Sequence, residues 1–370
     1  MDLLERACEL KPELVHYATS GRFARELSVV LDRFYADGAA PDEAAAFLPV
    51  DFFVHQHRLP GGDTVIDRFL DDHPGLDDVS RDLLLSWKDV VEGVFEVRGH
   101  DHDTATLHNL VDELTYQARS NLGAGAFEPL SPGMFVVGRL IPLGEEWLIS
   151  GTPAVHPADA RQTLVSVAAH VALANPAYVF RNPEALATAR RLQSEQRRCF
   201  VAYFGTDQVV CPGSEVEERM RGYLAYQSDR IPSAGTQPVF EVPGHVRSSD
   251  TVALIFDETH GFAYYRDFGR LEEIFADPRL LDRRPYRDLL SGYLRGDEVS
   301  PVPLVRLAER DPARADAVFA KLLGRSGFRW DRSGEALLRT HKPAHYTAPH
   351  LPNLTPTTQA ITDHLTLPTT

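Results

Sequence analysis

Between Gly93 and Gly151 the apolar residues alternate with a period of two between turn signals, a pattern that no other long stretch of this 370-residue chain shows. Successive side chains of a strand point to opposite faces, so such alternation puts one face on a core. Phe95 and Val97 share a side of a first strand, and Leu107 lies in a second. Leu114, Tyr116 and Ala118 then alternate with Thr115, Gln117 and Arg119. Ser131-Pro132-Gly133 introduces a run from Met134 to Ile141, and Leu143-Gly144-Glu145-Glu146 turns the chain into Trp147-Leu148-Ile149. Short strands that fold back on one another predict a small curled antiparallel β-unit or barrel over 93–151.

On both sides of this unit the period changes to that of a helix. Leu27, Val30, Leu31 and Phe34 make one face of a helical N-terminal region running from Leu3 to about Val91. Asp63 is the expected N-cap of a helix carrying Ile66, Phe69 and Leu70, because its carboxylate can accept from amides that have no intrahelical partner. Leu83, Leu84, Trp87, Val90 and Val91 form a stripe that should pack on the β-unit. After Gly151 come helices opened by Pro157, by Asn182-Pro183 and by a Ser214/Glu217 capping box. The Pro-, Gly- and Ser-rich stretch 228–249 is the expected linker. Val252 to Phe256, a turn at Asp257-Glu258-Thr259-His260-Gly261, and Phe262 to Tyr265 predict a β-hairpin. Further amphipathic helices follow it, one opened by Asp311-Pro312 and closed by Gly324. The expectation is an α+β fold: residues 1–227 as a helical region enclosing the β-unit, a linker at 228–249, and a second, smaller α+β part at 250–342. A disordered Pro/Thr-rich tail is expected at 343–370.

Composition limits function more than it assigns it. The chain is 43% hydrophobic and 25% charged, the balance of an ordinary globular protein, and carries a formal net charge of −15. A polyanion meets a repulsive average field, so nucleic-acid binding is disfavoured. Cys8, Cys199 and Cys211 stand at no metal-ligand spacing, so neither a disulfide framework nor a Cys-rich zinc site is expected. The start Met1-Asp2-Leu3-Leu4-Glu5-Arg6 lacks secretory-signal features, and no apolar run is long enough to span a bilayer; a cytoplasmic location without membrane contact is the expectation.

Several constellations invite chemistry. In Gly99-His100-Asp101-His102-Asp103, a spacing of two would set His100 and His102 on one side of a strand where they could chelate a metal, with His108 as a third ligand. The motif matches a metallo-β-lactamase signature only in part, with Thr104 where its last histidine would stand. Polar residues between two strands more often make an exposed turn. His55 and His57, if helical, splay about 200° apart and cannot chelate together. Gly61-Gly62-Asp63 lacks the remainder of a phosphate-binding loop. Asp257 and Glu258, with Asp267 nearby, could act as paired carboxylates, although a hairpin turn accounts for the first two. Phe200, Tyr203, Phe204, Tyr223 and Tyr226, beside Arg197, Arg198, Arg219 and Arg221, form the one patch suited to base stacking; such stripes are more often core.

Trp87-Lys88-Asp89-Val90-Val91-Glu92-Gly93-Val94-Phe95-Glu96-Val97, then Asn109-Leu110-Val111-Asp112, then Pro132-Gly133 with Gly138-Arg139-Leu140, resemble an uncharacterised bacterial family. Some of its members carry a C-terminal SEC-C cysteine motif. The resemblance touches Ile255-Phe256-Asp257 and Leu307 to Pro312 as well. It implies a shared architecture and no activity, and because the cysteine element is absent here it implies no metal ligand. No cofactor or metal is therefore expected, and the sequence assigns no catalytic residue, leaving enzymatic activity open. The leading expectation is a non-enzymatic, adaptor-like interaction protein with a protein partner. The alternatives are a metal-dependent hydrolase using His100 and His102, and an RNA-binding protein using the Arg-rich helices.

Overall fold

The computed structural model describes residues 2–35, 48–123, 125–230, 242–296, 298–347, 349–356 and 361–362. The chain forms two compact units, Met1–Asn182 with Thr357–Thr370, and Pro183–Pro356.

The first unit opens with helices α1 (Leu3–Ala18), α2 (Ala24–Phe34), α3 (Leu48–His55), α4 (Val65–Asp72) and α5 (Asp78–Ser86). Five strands follow: β1 (Val91–His100), β2 (Thr104–Asn109), β3 (Thr115–Arg119), β4 (Phe135–Leu143) and β5 (Glu146–His156). Helices α6 (Arg161–Ala174) and α7 (Pro176–Val179) follow the strands. The strands close into a barrel in the order β1-β2-β3-β5-β4, with β4 pairing back onto β1. All pairs are antiparallel except β3 with β5, which is parallel. This corrects the all-antiparallel expectation. The chain leaves β3, crosses to the far side of β1 as β4, and returns through the β4–β5 hairpin. The last strand therefore reaches β3 running the same way. Periodicity reports which face is buried and carries no signal for the direction of a non-consecutive neighbour.

Phe95, Val97, Leu107, Tyr116, Ala118 and Leu140 fill the barrel interior. The outward residues Ile141, Leu143 and Leu148 join Leu14, Phe53, Ile66, Phe69 and Trp87 in a second core beneath the helices. Trp87, fully buried, donates from its indole nitrogen to the Pro142 carbonyl at 3.1 Å, so the expected stripe does pack on the strands. Gly93 on β1 sits where a Cβ would collide with the amide of buried Asn109, whose Oδ1 accepts from the Val111 amide. The cap of α4 is Thr64 in place of Asp63. Thr64 Oγ1 accepts from the Asp67 amide while the Asp67 carboxylate accepts from the Thr64 amide, and Asp63 instead pairs with Arg68.

The second unit comprises α8 (Pro183–Phe204), β6 (Gln208–Cys211), α9 (Val216–Ser228), α10 (Gly244–Arg247), β7 (Val252–Asp257) and β8 (Gly261–Arg266). Helices α11 (Phe268–Ala276), α12 (Arg284–Arg295), α13 (Val302–Arg310), α14 (Pro312–Leu323), α15 (Trp330–His341) and α16 (Ala344–Thr347) complete it. The hairpin β7–β8 forms as expected, and β6 adds to it antiparallel, giving the order β6-β7-β8. That pairing places α8 and α9 in the second unit, whereas the sequence pattern set the division at 228–249; residues 231–241 of that stretch lie outside the described residues. The Ser214/Glu217 capping box does not form. A 3-10 turn, Gly213–Glu215, leads into α9, which has no side-chain cap.

The expected disordered tail is in part ordered. Lys342, fully buried, donates to the carbonyls of Gly296 and Val299, and α16 follows. Asn353 Nδ2 donates to the His260 and Phe262 carbonyls at 2.8 and 3.2 Å, and its main-chain amide donates to Gln193 Oε1. The first of these carbonyls lies in the β7–β8 turn and the second on β8, and backbone groups left unpaired are costly, so a polar stretch with little to bury still finds partners there. Residues 357–360 and 363–370 lie outside the described residues.

Candidate functional site

In the second unit the turn before β6, the β7–β8 turn and α13 line a cavity of about 800 Å³. Its polar frame is built on Arg306, which α13 presents to two carboxylates. The guanidinium grips Asp207 in a bidentate pair at 3.0 and 3.2 Å and reaches Asp257 at 3.4 Å. Arg197 on α8 donates to Asp207 at 2.8 Å and to the Phe256 carbonyl at 3.2 Å. Burial alone would raise the Asp207 carboxyl, yet the two guanidinium groups outweigh it and hold the acid below its usual range.

Asp257 does two things at once. Its Oδ1 accepts from the main-chain amides of Thr259 and His260, both at 3.0 Å, which is the turn chemistry legible in the sequence. The same oxygen lies 3.2 Å from His260 Nδ1. The His260 hydrogen bond, acting against burial and aided by the two amides, holds Asp257 far below the ordinary carboxylate range. A carboxylate on Nδ1 selects the tautomer in which that nitrogen carries the proton, so a neutral His260 keeps a lone pair on Nε2. That Nε2 is buried and has no hydrogen-bond partner among the described residues. His350 lies with its ring centroid 4.2 Å from that of His260, and His345 lies at 6.2 Å. Burial, reinforced by the neighbouring imidazoles, pushes the His350 pKa down.

A second polar cluster lies inside the first unit. Ser150 Oγ donates to Asp51 and is 3.4 Å from His55 Nε2, while Arg139 lies 3.8 Å from Asp51 and Lys11 donates to the carbonyl of the neighbouring Ile149. The residue types are those of a hydrolytic triad, but the serine is bonded to the aspartate and all five side chains are buried. The cluster is closed to a substrate and neutralises buried charge; a triad would need the serine on the histidine and open to solvent. Burial lowers His55 to about pKa 4. His57 lies beyond the end of α3, so the helical spacing considered for the pair does not apply, and its ring stacks on Phe53 at 5.3 Å.

The other residues singled out in the sequence fall as follows. His100 Nε2 lies 2.9 Å from the Leu130 carbonyl, and Asp101 accepts from the amides of Asp103 and Thr104, the pattern of a turn. His102 is exposed, and His108 Nδ1 sits 3.5 Å from Thr115 Oγ1 on β3. Among the described residues, no three His, Cys, Asp or Glu side chains are grouped so as to hold a metal ion. Arg219 and Arg221 pair with Glu215 and Glu217 one helical turn back, and Phe200 and Tyr223 are buried in the core beneath the sheet. Burial raises the Cys211 thiol, and Cys8 is exposed. Asp267 lies apart from Asp257, at the N-terminus of α11. The sequence reading missed Arg306, Asp207 and His350. No spacing signal joins residues so far apart; the usable clue was the Asp257/His260 pair inside a predicted hairpin turn.

The architecture defines a class: an α+β protein with a closed five-stranded barrel in its first unit and a His-Asp-Arg cleft in its second. Residues 5–176 match the model of a family of unknown function (DUF7986), in accord with the resemblance to an uncharacterised family. The match ends within the first unit, so the cleft lies outside it. No curated protein and no solved structure matches the chain. Among the described residues no helix is long and apolar enough to cross a membrane.

Proposed function

We infer that this chain is a non-enzymatic binding protein whose second unit takes a small polar ligand in the cleft beside Asp257 and His260. One observation carries the reading: His260 Nε2 is buried with no partner among the described residues while Nδ1 is held by Asp257. A buried acceptor left unmet costs about 1–3 kcal/mol, so a ligand that offers a hydroxyl or amino hydrogen there recovers that cost. The arginines around it are already engaged, Arg306 by Asp207 and Asp257, Arg197 by Asp207 and Arg310 by Glu272, which leaves no free guanidinium among the described residues there for an anion. Complementarity therefore falls to a ligand of little net charge bearing hydrogen-bond donors. The protein partner expected from sequence is replaced, in this reading, by a small molecule.

The hydrolase reading at His100 and His102 draws no support from the geometry, because the His100 ring is spent on the Leu130 carbonyl. The RNA reading is weakened by the pairing of Arg197, Arg219 and Arg221 with carboxylates. The binding reading is tested by thermal denaturation of the full chain with sugars, polyols, nucleosides and amino acids, comparing the protein with its His260→Ala and Asp257→Asn variants. A ligand at a hundredfold its Kd stabilises the folded state by about 2.7 kcal/mol. Stabilisation by one of these classes, lost in both variants, is the expected result. If no compound stabilises the native protein more than it stabilises His260→Ala, the proposal fails.

A further inference from the structure

A separate cavity of about 380 Å³ lies where β8 faces α12, and its walls include Tyr264, Tyr265, Tyr293, Leu289 and Val299. Two of the tyrosines have already placed their hydroxyls. Tyr293 donates to the Arg266 carbonyl and Tyr265 bonds Ser300 Oγ, each at 2.6 Å. What those two side chains can offer a ligand is therefore ring surface, to which Tyr264, 36% exposed, adds more. Asp267 also lines this cavity, in an unusual state. It has a left-handed backbone at φ 54°, ψ 31°, and although it stands at the N-terminus of α11 its side chain makes no capping bond. Its main-chain amide is fixed to the Thr251 carbonyl at 2.7 Å. Among the described residues, its carboxylate has neither a hydrogen bond nor an ion pair. It forms none with Arg266 beside it. Asp288, on the opposite wall, is engaged by Arg284. The Asp267 charge also contributes, after burial, to raising the Tyr293 hydroxyl pKa, which places the carboxylate near the aromatic wall.

We propose that this cavity binds an organic ammonium ion with apolar substituents, its charge paired with Asp267 and its body against the tyrosine rings and Leu289. Aromatic faces and a free carboxylate attract the same ligand for two reasons, the ring quadrupole and the formal charge. A hydrated metal ion gains nothing from the apolar walls, and a neutral ligand gains nothing from the carboxylate. The site is distinct from the Asp257–His260 cleft and does not depend on the reading given to that cleft.

The test is calorimetric titration of the full chain with choline and with its uncharged isostere 3,3-dimethylbutan-1-ol. Choline should bind, and the isostere should bind at least about tenfold more weakly. Asp267→Asn removes the charge but keeps a residue that tolerates the left-handed conformation, so the fold persists while choline affinity falls by about tenfold or more. His260→Ala should leave choline binding unchanged. Choline failing to bind, the isostere binding as tightly, or Asp267→Asn leaving the affinity intact would each overturn the assignment.

Discussion

His55 shows how one buried side chain ties stability to pH. Its ring is 2% exposed, and desolvation lowers its pKa to about 4 from an ordinary 6.5, only partly offset by Asp51. Between pH 6.5 and 4 the unfolded chain binds a proton that the folded protein refuses. Stability is complete above pH 6.5 and is lost as pH falls towards 4, by on the order of 3 kcal/mol in all. Urea denaturation followed through Trp87 and Trp147 should show this slope, and His55→Gln should flatten it while lowering stability overall. Equal slopes in the two proteins would refute the assignment. Residues of this kind were only half legible beforehand. The sequence showed that His55 and His57 could not chelate together, but not that His55 would meet Ser150, which lies nearly a hundred positions away and whose approach depends on the barrel.

At the scale of single elements, β1 and β2 depend on a position with no room for a side chain. Gly93→Ala drives a methyl group into the Asn109 amide and should destabilise the first unit by about 1–3 kcal/mol. If the melting temperature of that variant matches the parent, the packing described at this point is wrong. Thr64→Ala, which removes the reciprocal cap of α4, should cost about 1 kcal/mol, whereas Asp63→Ala should cost less because Asp63 makes only an exposed ion pair with Arg68. Denaturant midpoints of the two variants measure the difference. Elements with long patterns were legible, including β4, the β7–β8 hairpin, and α14 between its Asp311 cap and Gly324 terminator. The strand β6 was not. Four residues, Gln208 to Cys211, give too little alternation to register, and what holds them is pairing with β7.

For the molecule as a whole, charge was readable from composition alone, while the division into units was not. The formal charge of −15 and the pairing of the helical arginines predict that single-stranded RNA is not retained at physiological salt. Filter binding with a homopolymer tests this, and salt-sensitive retention would restore the nucleic-acid reading. The division between units follows from β6 joining β7 across the Pro/Gly/Ser-rich stretch, a long-range choice that no local composition announces. The cleft was hidden for the same reason, since Asp207, His260 and Arg306 reach it from three separate segments.

The barrel closes through a short seam, with Ala118 opposite Trp147 and Arg119 opposite Leu148, while β4 and β5 run side by side from Phe135 to Leu143. A ring fastened so briefly at one place has a built-in hasp. Deuterium should enter the amides of β3 ahead of those in β4, and the cylinder should first part along that line into a curled ribbon still clamped at its other four junctions.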